Sequence, residues 1–297
     1  MAVSTMHIGV VGLPGGWSTE LLLQAVRDKG AQGEIISPDL MACDLALGLI
    51  THQGRDLGEF DALIVKKLGK SYGPEMLDRL SLLDLLATRG VPIFSSPARM
   101  EGMLNRMQCT LALAKAGIPM PPTVLCQNPA QGVSALERLG ACVLKPLYTS
   151  KAKGMRQMQP GPGSYDELEQ YQAQGHGIIY LQKFLKLPGH DLGIVFLGGR
   201  YLCTYARGAR DFSRLNGGQP TGGEYFAYQP PPPIIELATK AQAVFGLDFT
   251  CVDIVETNDG PLVLEVSAFG GFRGIWEAHG QNAAELYVDH VLNALRR

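Results

Sequence analysis

The first 95 residues alternate short β-branched runs with amphipathic stretches, which is the pattern of strands followed by helices. A strand at residues 8–12 ends in Leu13-Pro14-Gly15-Gly16, and Ser18 is placed to cap a helix that runs to about Arg27. Further strands are expected at 35–37, 62–66 and 91–94, with a helix at 75–88. Strands and helices in alternation predict a parallel sheet covered by helices.

The pattern changes after Ser95-Ser96-Pro97, where a helix is expected at 103–116. Beyond it the pattern predicts strands at 142–145, 178–182, 194–197, 201–206, 252–256 and 262–266, with helices at 164–174, 234–245 and 283–295. This mixture predicts an α+β C-terminal part. We therefore divide the chain into a parallel α/β domain (1–97), a central subdomain (98–178) and a C-terminal subdomain (179–297).

Composition narrows the class of protein. With 297 residues, 46% of them hydrophobic, the chain has enough apolar material for a sizeable core, which argues against disorder. The 26 basic and 28 acidic residues give no basic field that would hold a nucleic acid. The apolar runs are too short to span a membrane, and the N-terminal segment lacks the basic start of a secretion signal. We expect a cytoplasmic protein.

Six cysteines lie at least sixteen positions apart and have no histidine at ligand spacing beside them. They are expected to be reduced thiols in the core, and neither a zinc site nor a disulfide is predicted.

The Gly12-x-x-Gly15-Gly16 run invites a phosphate-loop interpretation, but it has neither of the established nucleotide-loop spacings. A tight turn between strand and helix is the favoured interpretation. If the run also has a function, the amides at the helix start suit a substrate carboxylate better than ATP.

Two carboxylates carry the strongest chemical signal in the sequence. Asp253 and Glu265 lie among apolar residues on two neighbouring predicted strands, which the turn Asn258-Asp259-Gly260 connects. Two carboxylates on buried strands repel one another unless a cation neutralises them. Mg²⁺ bound by these carboxylates and by substrate phosphates would meet that need. The alternative, that both side chains simply face solvent, has nearly equal weight on this pair alone.

Seven motifs follow one another from about residue 95 to residue 280, and their order resembles that of the ATP-grasp ligases, most closely the RimK-like branch of glutamate ligases that modify a ribosomal protein. The motifs are Asn105-Arg106-x-x-x-Thr110, Gly117-Ile-Pro119-x-Pro121, Val143-Leu-Lys145-Pro146, Gln182-Lys-Phe184-Leu, Gly189-His-Asp191, Gly246-Leu-Asp-Phe-x-x-Val-Asp253 and Gly260-Pro-Leu-Val-Leu-Glu265-Val.

The resemblance implies an ATP-grasp fold that follows a small α/β domain, with ATP bound between the central and C-terminal subdomains. It implies a reaction in which a carboxylate takes the γ-phosphoryl group and an amine then displaces phosphate. The implied cofactors are ATP and Mg²⁺, with Mn²⁺ as an alternative.

The resemblance also assigns the nucleotide site. Lys145 matches the lysine on the α- and β-phosphates, and Arg106 stands where the family has an Asp-Lys pair. Asp191 matches the aspartate on the ribose hydroxyls, although the arginine usual two positions later is Gly193 here. The other implied contacts are the phosphate lid Ser150, Lys151, Lys153 and Gly154, the adenine linker Gln182, Lys183, Phe184 and Leu185, and the nucleotide loop Arg214 and Asn216.

Catalytic and metal positions follow from the same resemblance. Arg207 matches an arginine that faces the transferring phosphoryl group, and Lys145 shares that catalytic role. Asp253, Glu265 and Ser267 are the implied metal ligands, with Ser267 in place of the family asparagine.

The lid departs most from the family, because only Gly154 remains of three glycines. Gly15, Gly16 and Arg273 are candidates for orienting the acceptor. The expected partner is an amino acid, peptide or protein carboxylate, and self-association stays open. A catalytically silent nucleotide-binding regulator and a small-molecule kinase on the same fold remain as alternatives.

Overall fold

The computed structural model describes residues 5–149, 152–186, 189–208 and 224–297. Strands in these ranges are β1 (His7–Val11), β2 (Gln32–Ile36), β3 (Met41–Asp44), β4 (Leu49–His52), β5 (Arg55–Asp56), β6 (Ala62–Val65), β7 (Ile93–Phe94), β8 (Thr123–Cys126), β9 (Cys142–Leu144), β10 (Arg156–Met158), β11 (Ile179–Lys183), β12 (His190–Leu197), β13 (Arg200–Gly208), β14 (Glu224–Ala227), β15 (Phe249–Thr257) and β16 (Gly260–Ser267).

The α-helices in the same ranges are α1 (Trp17–Asp28), α2 (Glu75–Thr88), α3 (Pro97–Leu104), α4 (Arg106–Lys115), α5 (Pro129–Leu139), α6 (Ser164–Ala173), α7 (Pro232–Ala243), α8 (Phe272–His279) and α9 (Ala283–Leu295). The mixed α/β class predicted from the sequence is confirmed.

The N-terminal sheet has the order β2-β1-β6-β7, and all of its strand pairs are parallel. Its two faces are both covered, as the continuous apolar runs in β1 and β6 require. One face contributes Ile8 and Val10 to a core shared with α1 and α9, whereas Val11 and Val65 belong to a core shared with α2.

In this region one local prediction is wrong and one small sheet was missed. Ser18 does not cap α1; the cap position is Gly16, whose lack of a side chain leaves the helix start without a side-chain hydrogen bond. Residues 41–56 form a small antiparallel sheet, β3-β4-β5, that was not predicted. The hairpin between β3 and β4 depends on turn chemistry, because Asp44 Oδ1 accepts from the N–H groups of Ala46 and Leu47, and Gly48 has φ of +68°.

The central sheet has the order β10-β9-β11-β8 and carries its own small core beneath α5 and α6. Because β11 pairs with both β8 and β9, this sheet extends to Lys183, past the boundary placed at residue 178. The three-part division itself stays a prediction.

The C-terminal sheet is antiparallel throughout, with the order β14-β13-β12-β15-β16. One face packs on α4 and α7, and the other packs on α8 and α9. Both cores also contain residues of the N-terminal sheet. The N-terminal domain is therefore packed firmly against the C-terminal sheet.

The helix predicted at 103–116 is two helices, α3 and α4, separated at Asn105. The backbone of Asn105 is extended, with φ of −102° and ψ of 120°. Its side-chain oxygen accepts from the N–H groups of Met107 at 2.9 Å and Gln108 at 3.2 Å. Asparagine competes well for such bonds, so the chain starts a new helix here. Arg106 is consequently the first residue of α4.

All six cysteines are free, and five of them are buried, as predicted. Among the described residues, no helix is long and apolar enough to cross a membrane.

We predict that Asn105→Ala destabilises the fold more than Asn128→Ala. Both residues cap helices, a role worth about 1 kcal/mol, but Asn105 accepts two backbone bonds and also donates to the hydroxyl of Tyr148 at 2.9 Å. Asn128 accepts one bond, from Gln131. Urea unfolding of both variants measures the difference, and equal losses would contradict the prediction.

Candidate active site

Asp253 and Glu265 face each other across the hairpin of β15 and β16. They are direct partners in the antiparallel register, so their side chains lie on the same face of the sheet. Residues 258 and 259 form the turn, and Gly260 begins β16 with φ of +112°. The side chain of Asp253 is 21% exposed and that of Glu265 is 41% exposed. Both side chains therefore lie in one polar, partly open region of the sheet face, which we call the polar edge, and do not point to opposite sides of the sheet.

The neighbouring strands extend this polar edge. Asp191 on β12 stands opposite Arg207 on β13, and Gly193 stands opposite Asp253. A Cβ atom at Gly193 would lie 2.3 Å from the ring of Tyr205, so the ring occupies the space that a side chain would need. This contact explains locally why glycine stands where the family has an arginine.

Arg207 holds two of these carboxylates at once. Its Nε donates to Asp191 Oδ1 at 3.1 Å, one terminal nitrogen also donates to Asp191 Oδ2, and the same nitrogen lies 3.3 Å from Asp253 Oδ2. Burial, helped by the charges of Asp191 and Glu265, raises the pKa of Asp253 despite the opposing effect of Arg207. The pKa of Arg207 is raised in turn, chiefly by Asp253.

Arg106 neutralises the other carboxylate of the hairpin. Its three side-chain nitrogens donate to Glu265 Oε2 at 3.0 Å, to the carbonyl of Pro146 at 3.1 Å and to the carbonyl of Thr149 at 3.3 Å. The side chain is only 7% exposed. Arg106 thus joins the loop after β9 to the hairpin of β15 and β16, and each of its donor atoms has a partner within the chain.

Lys145 follows β9 directly and points into the same region. Its Nζ donates to Gln182 Oε1 on β11. Burial and the nearby Arg106 lower the pKa of Lys145 to about 8, against the opposing effect of Glu265. A partly buried ammonium without a full ion pair is costly, and phosphate oxygens would supply the missing anion.

A network of buried polar side chains orients Gln182. The sequence analysis named Gln182 but did not predict this network. Gln182 Nε2 donates to Thr123 Oγ1 at 3.0 Å and reaches the hydroxyl of Tyr180 at 3.5 Å. The Tyr180 hydroxyl also lies 2.8 Å from Thr110 Oγ1 on α4. Tyr180 and Gln182 are two positions apart on β11, so their side chains lie on the same face of the sheet. This spacing is the signal that the sequence offers for their shared role.

The segment expected to bind adenine leaves the central sheet at this point. The N–H groups of Lys183 and Phe184 donate to the carbonyls of Pro122 and Ala141, both at 2.8 Å. Phe184 exposes 40% of its surface, Lys183 is exposed and Leu185 is half-buried. Phe184 therefore offers an aromatic face beside the backbone where the linker begins.

The lid lies in the connection between β9 and β10. Lys153 and Gly154 are exposed there, and Gly154 has φ of +72°. Ala152 has φ of +56°, a conformation that glycine adopts more readily. The lid therefore has a glycine-like backbone conformation at Ala152 as well as at Gly154. Four predicted contacts, Ser150, Lys151, Arg214 and Asn216, lie outside the described residues.

The metal-ligand set fits Mg²⁺ only with help from a substrate. Ser267 lies on the same sheet face as Glu265, and its hydroxyl accepts weakly from the N–H of Phe269 at 3.4 Å. Among the described residues, no cluster of three or more His, Cys, Asp or Glu is arranged to hold a metal. Two carboxylates and a hydroxyl are oxygen donors of the kind Mg²⁺ takes, with phosphates completing its shell. The donor set fits the predicted ion.

Of the three candidate acceptor residues, Gly15 and Gly16 lie directly before α1, and Arg273 lies in the first turn of α8. The N–H of Gly15 donates to Glu20 Oε1 at 2.7 Å, so a carboxylate of the chain already occupies this amide. Gly16 closes the turn by donating to the carbonyl of Leu13, which supports the tight-turn interpretation. Arg273 on α8 is 68% exposed and pairs with Glu277 at 3.0 Å.

Comparison with known proteins defines the class. A model of the RimK-like ATP-grasp domain matches residues 104–291. The chain belongs to the RimK-like ATP-grasp family, as its ordered motifs predicted.

Individual relatives match nearly the whole chain. It is 26% identical to tetrahydromethanopterin:alpha-L-glutamate ligase from Methanosarcina acetivorans, over 95% of this chain and 97% of that protein. The fold is similar to that of a RimK domain ATP-grasp protein from Sphaerobacter thermophilus, with a TM-score of 0.74, 21% identity, and coverage of 96% of this chain and 98% of the other. The fold is also similar to that of the ATP-grasp ligase PsnB in complex with a precursor variant, Mg and ADP, with a TM-score of 0.74, 18% identity and coverage of 98% of both chains.

We predict that the hairpin carboxylates carry the magnesium dependence of nucleotide binding. Asp253→Asn and Glu265→Gln should lose the stabilisation that MgATP gives the wild type, which is about 2.7 kcal/mol at a ligand concentration one hundred times Kd. Asp259→Asn is the matched control, because Asp259 lies exposed in the turn of the same hairpin. Thermal unfolding with and without Mg²⁺ measures the effect. Equal stabilisation of all four proteins would remove the metal assignment.

We predict that Mg²⁺ increases the thermal stability of Arg207→Met more than it increases that of the wild type. Without its guanidinium, Asp191 and Asp253 repel each other, and hydrogen bonds to charged groups worth about 2 kcal/mol are lost. A divalent cation would relieve that repulsion, so Mg²⁺ should raise the melting temperature of the variant more than that of the wild type. An equal magnesium response in both proteins would show that Arg207 does not neutralise the metal site.

Proposed function

We propose that this protein is a magnesium-dependent ligase that uses ATP to join a carboxylate to an amine through an acyl phosphate, with glutamate as the first amine to test. The observation that carries the proposal is the polar edge of the C-terminal sheet, where Arg207 lies between Asp191 and Asp253 and Glu265 stands beside them. Membership of the RimK-like family supports the same reaction.

Cations from two subdomains surround this edge. Lys145 and Arg106 approach from the central sheet and from α4, and Arg207 lies on the C-terminal sheet. The proposed role of Lys145 is to bind the α- and β-phosphates, for which its partly buried ammonium has the necessary charge. Phe184 and the backbone that follows it are the proposed adenine contact.

The carboxylates and arginines have complementary roles in phosphoryl transfer. Asp253 and Glu265 would hold Mg²⁺, which supplies positive charge to the phosphate oxygens, with Ser267 as a weaker third donor. If Asp253 held Mg²⁺, this carboxylate would no longer need Arg207 as its partner, and the guanidinium could face the charge that develops on the transferring group. No nucleophilic side chain is needed, because the substrate carboxylate attacks the γ-phosphorus with release of ADP, and the amine then attacks the acyl carbon of the acyl phosphate and displaces phosphate.

The choice of substrates rests on chemistry and on one relative. Arg273, whose guanidinium is 68% exposed, favours a carboxylate over an alcohol. The similar enzyme from Methanosarcina acetivorans is named a glutamate ligase, which makes glutamate the first amine to test. The carboxylate partner is proposed to belong to an amino acid, a peptide, a protein or a small molecule. We propose a cytoplasmic location, where ATP is available.

We predict that glutamate together with peptides bearing a free carboxylate stimulates ADP release, and that hydroxylamine traps a hydroxamate. Arg207→Ala should abolish both signals while ATP still binds at saturating Mg²⁺, because its charge is needed most in the transition state. Arg200→Ala is the matched control, since Arg200 is exposed at the other end of the same strand.

Two outcomes would contradict the ligase. A stable phosphorylated alcohol without hydroxamate would identify a kinase. ATP binding without stimulation by any substrate in a broad screen would favour a regulatory protein.

A further inference from the structure

Lys66 is a buried lysine that the proposed reaction leaves without a role. It follows β6 at the carboxyl end of the N-terminal sheet and is only 3% exposed. Its Nζ donates to the carbonyl of Phe269 at 2.9 Å and lies 3.7 Å from the centre of the Phe272 ring. The side chain therefore crosses from the N-terminal domain to the segment between β16 and α8.

Keeping a lysine at this place is costly. No carboxylate within the described ranges forms an ion pair with Lys66, and burial together with the charge of Lys67 lowers its pKa to about 7. A methionine of similar length would pack against Phe249 and Phe272 without that cost. What methionine could not supply is an N–H group for the carbonyl of Phe269. Both the ammonium and the neutral amine donate such a bond, so the contact persists on either side of pH 7.

The segment that receives this bond connects β16, the second strand of the Asp253–Glu265 hairpin, to α8. It reads Phe269-Gly270-Gly271-Phe272, and Gly271, with φ of +98°, caps α8 without a side chain. A Cβ atom at Gly270 would lie 3.1 Å from both Cys251 Cβ and Ser267 Oγ, so the backbone passes tightly over the sheet. With two glycines, the segment has many accessible conformations, and an external hydrogen bond selects one of them.

The helix that follows, α8, carries Arg273, one of the residues proposed to bind the acceptor. Arg273 stands one position into α8, and Trp276 meets Trp17 of α1 edge to face, with ring centres 6.3 Å apart. Both tryptophans are nearly half exposed, and they are the only two in the sequence. The tryptophan pair therefore joins α8 to α1, and the bond from Lys66 joins the segment before α8 to the end of β6.

We propose that Lys66 is a positioning residue whose hydrogen bond to the Phe269 carbonyl fixes the start of α8 against the N-terminal domain and so places Arg273 for the carboxylate substrate. This inference rests on the proposed function for its consequence in turnover. Its structural part, the fixed relation of α8 to α1, does not depend on that function.

Lys66→Met tests the proposal, with Lys70→Met as the control because Lys70 is exposed a few residues further along. We expect Lys66→Met to be folded, at least as stable as the wild type at pH 7, and unchanged in its KM for ATP. We expect kcat/KM for the carboxylate substrate to fall roughly ten- to hundredfold, since a small misplacement of a binding group has that effect. Phe272→Leu removes the ring but keeps the hydrogen-bond donor, and should stay close to the wild type.

Tryptophan fluorescence and near-ultraviolet circular dichroism supply a readout that needs no substrate. Because both tryptophans lie where α8 contacts α1, Lys66→Met should change these spectra and Lys70→Met should not. An unaltered spectrum, an unaltered kcat/KM in an active enzyme, or a Lys66→Met protein that cannot fold would each overturn the proposal, because the last would make Lys66 a folding residue. If the wild type shows no ligase activity, the proposed function fails, whereas a changed spectrum still supports the positional role.

Discussion

Three carboxylates on one face of one sheet set the central electrostatic constraint of this protein. Asp191, Asp253 and Glu265 lie on three neighbouring strands, β12, β15 and β16, with their side chains on the same side. Partly removed from water, they repel one another, and the raised pKa of Asp253 reflects that cost. Any folded form of the chain must supply positive charge at this edge.

The chain supplies that charge from two directions. Arg207 comes from the same sheet and bridges Asp191 to Asp253, whereas Arg106 comes from α4 and reaches Glu265. Since Arg106 also binds the carbonyls after β9, neutralising Glu265 ties the central sheet to the C-terminal hairpin. Binding a metal ion at the hairpin would compete with both arginines.

The sequence predicted the elements whose signals are local. The hairpin of Asp253 and Glu265 was predicted because a turn signal separates two apolar runs, and the structure pairs those two residues directly. Local signals did not predict the β3-β4-β5 sheet or the break before α4. Both depend on hydrogen bonds from the backbone to one side chain, Asp44 in the first case and Asn105 in the second. Local signals could not reveal the bond from Lys66 to Phe269, which joins residues 203 positions apart. Nor could they show that every side-chain nitrogen of Arg106 already has a partner.

Part of the proposed acceptor site lies outside the region that the family model matches, because only its α8 side, with Arg273, falls within residues 104–291. The RimK-like model begins at residue 104, so Gly15, Trp17 and Lys66 all lie before it. The charged residues proposed to bind the nucleotide, Arg106, Lys145 and Arg207, all lie within the matched region. The residues proposed for the acceptor lie in the N-terminal domain and on α8. Because the N-terminal and C-terminal sheets meet mainly through packed apolar cores, changes in the proposed acceptor residues would leave the charges proposed for ATP undisturbed.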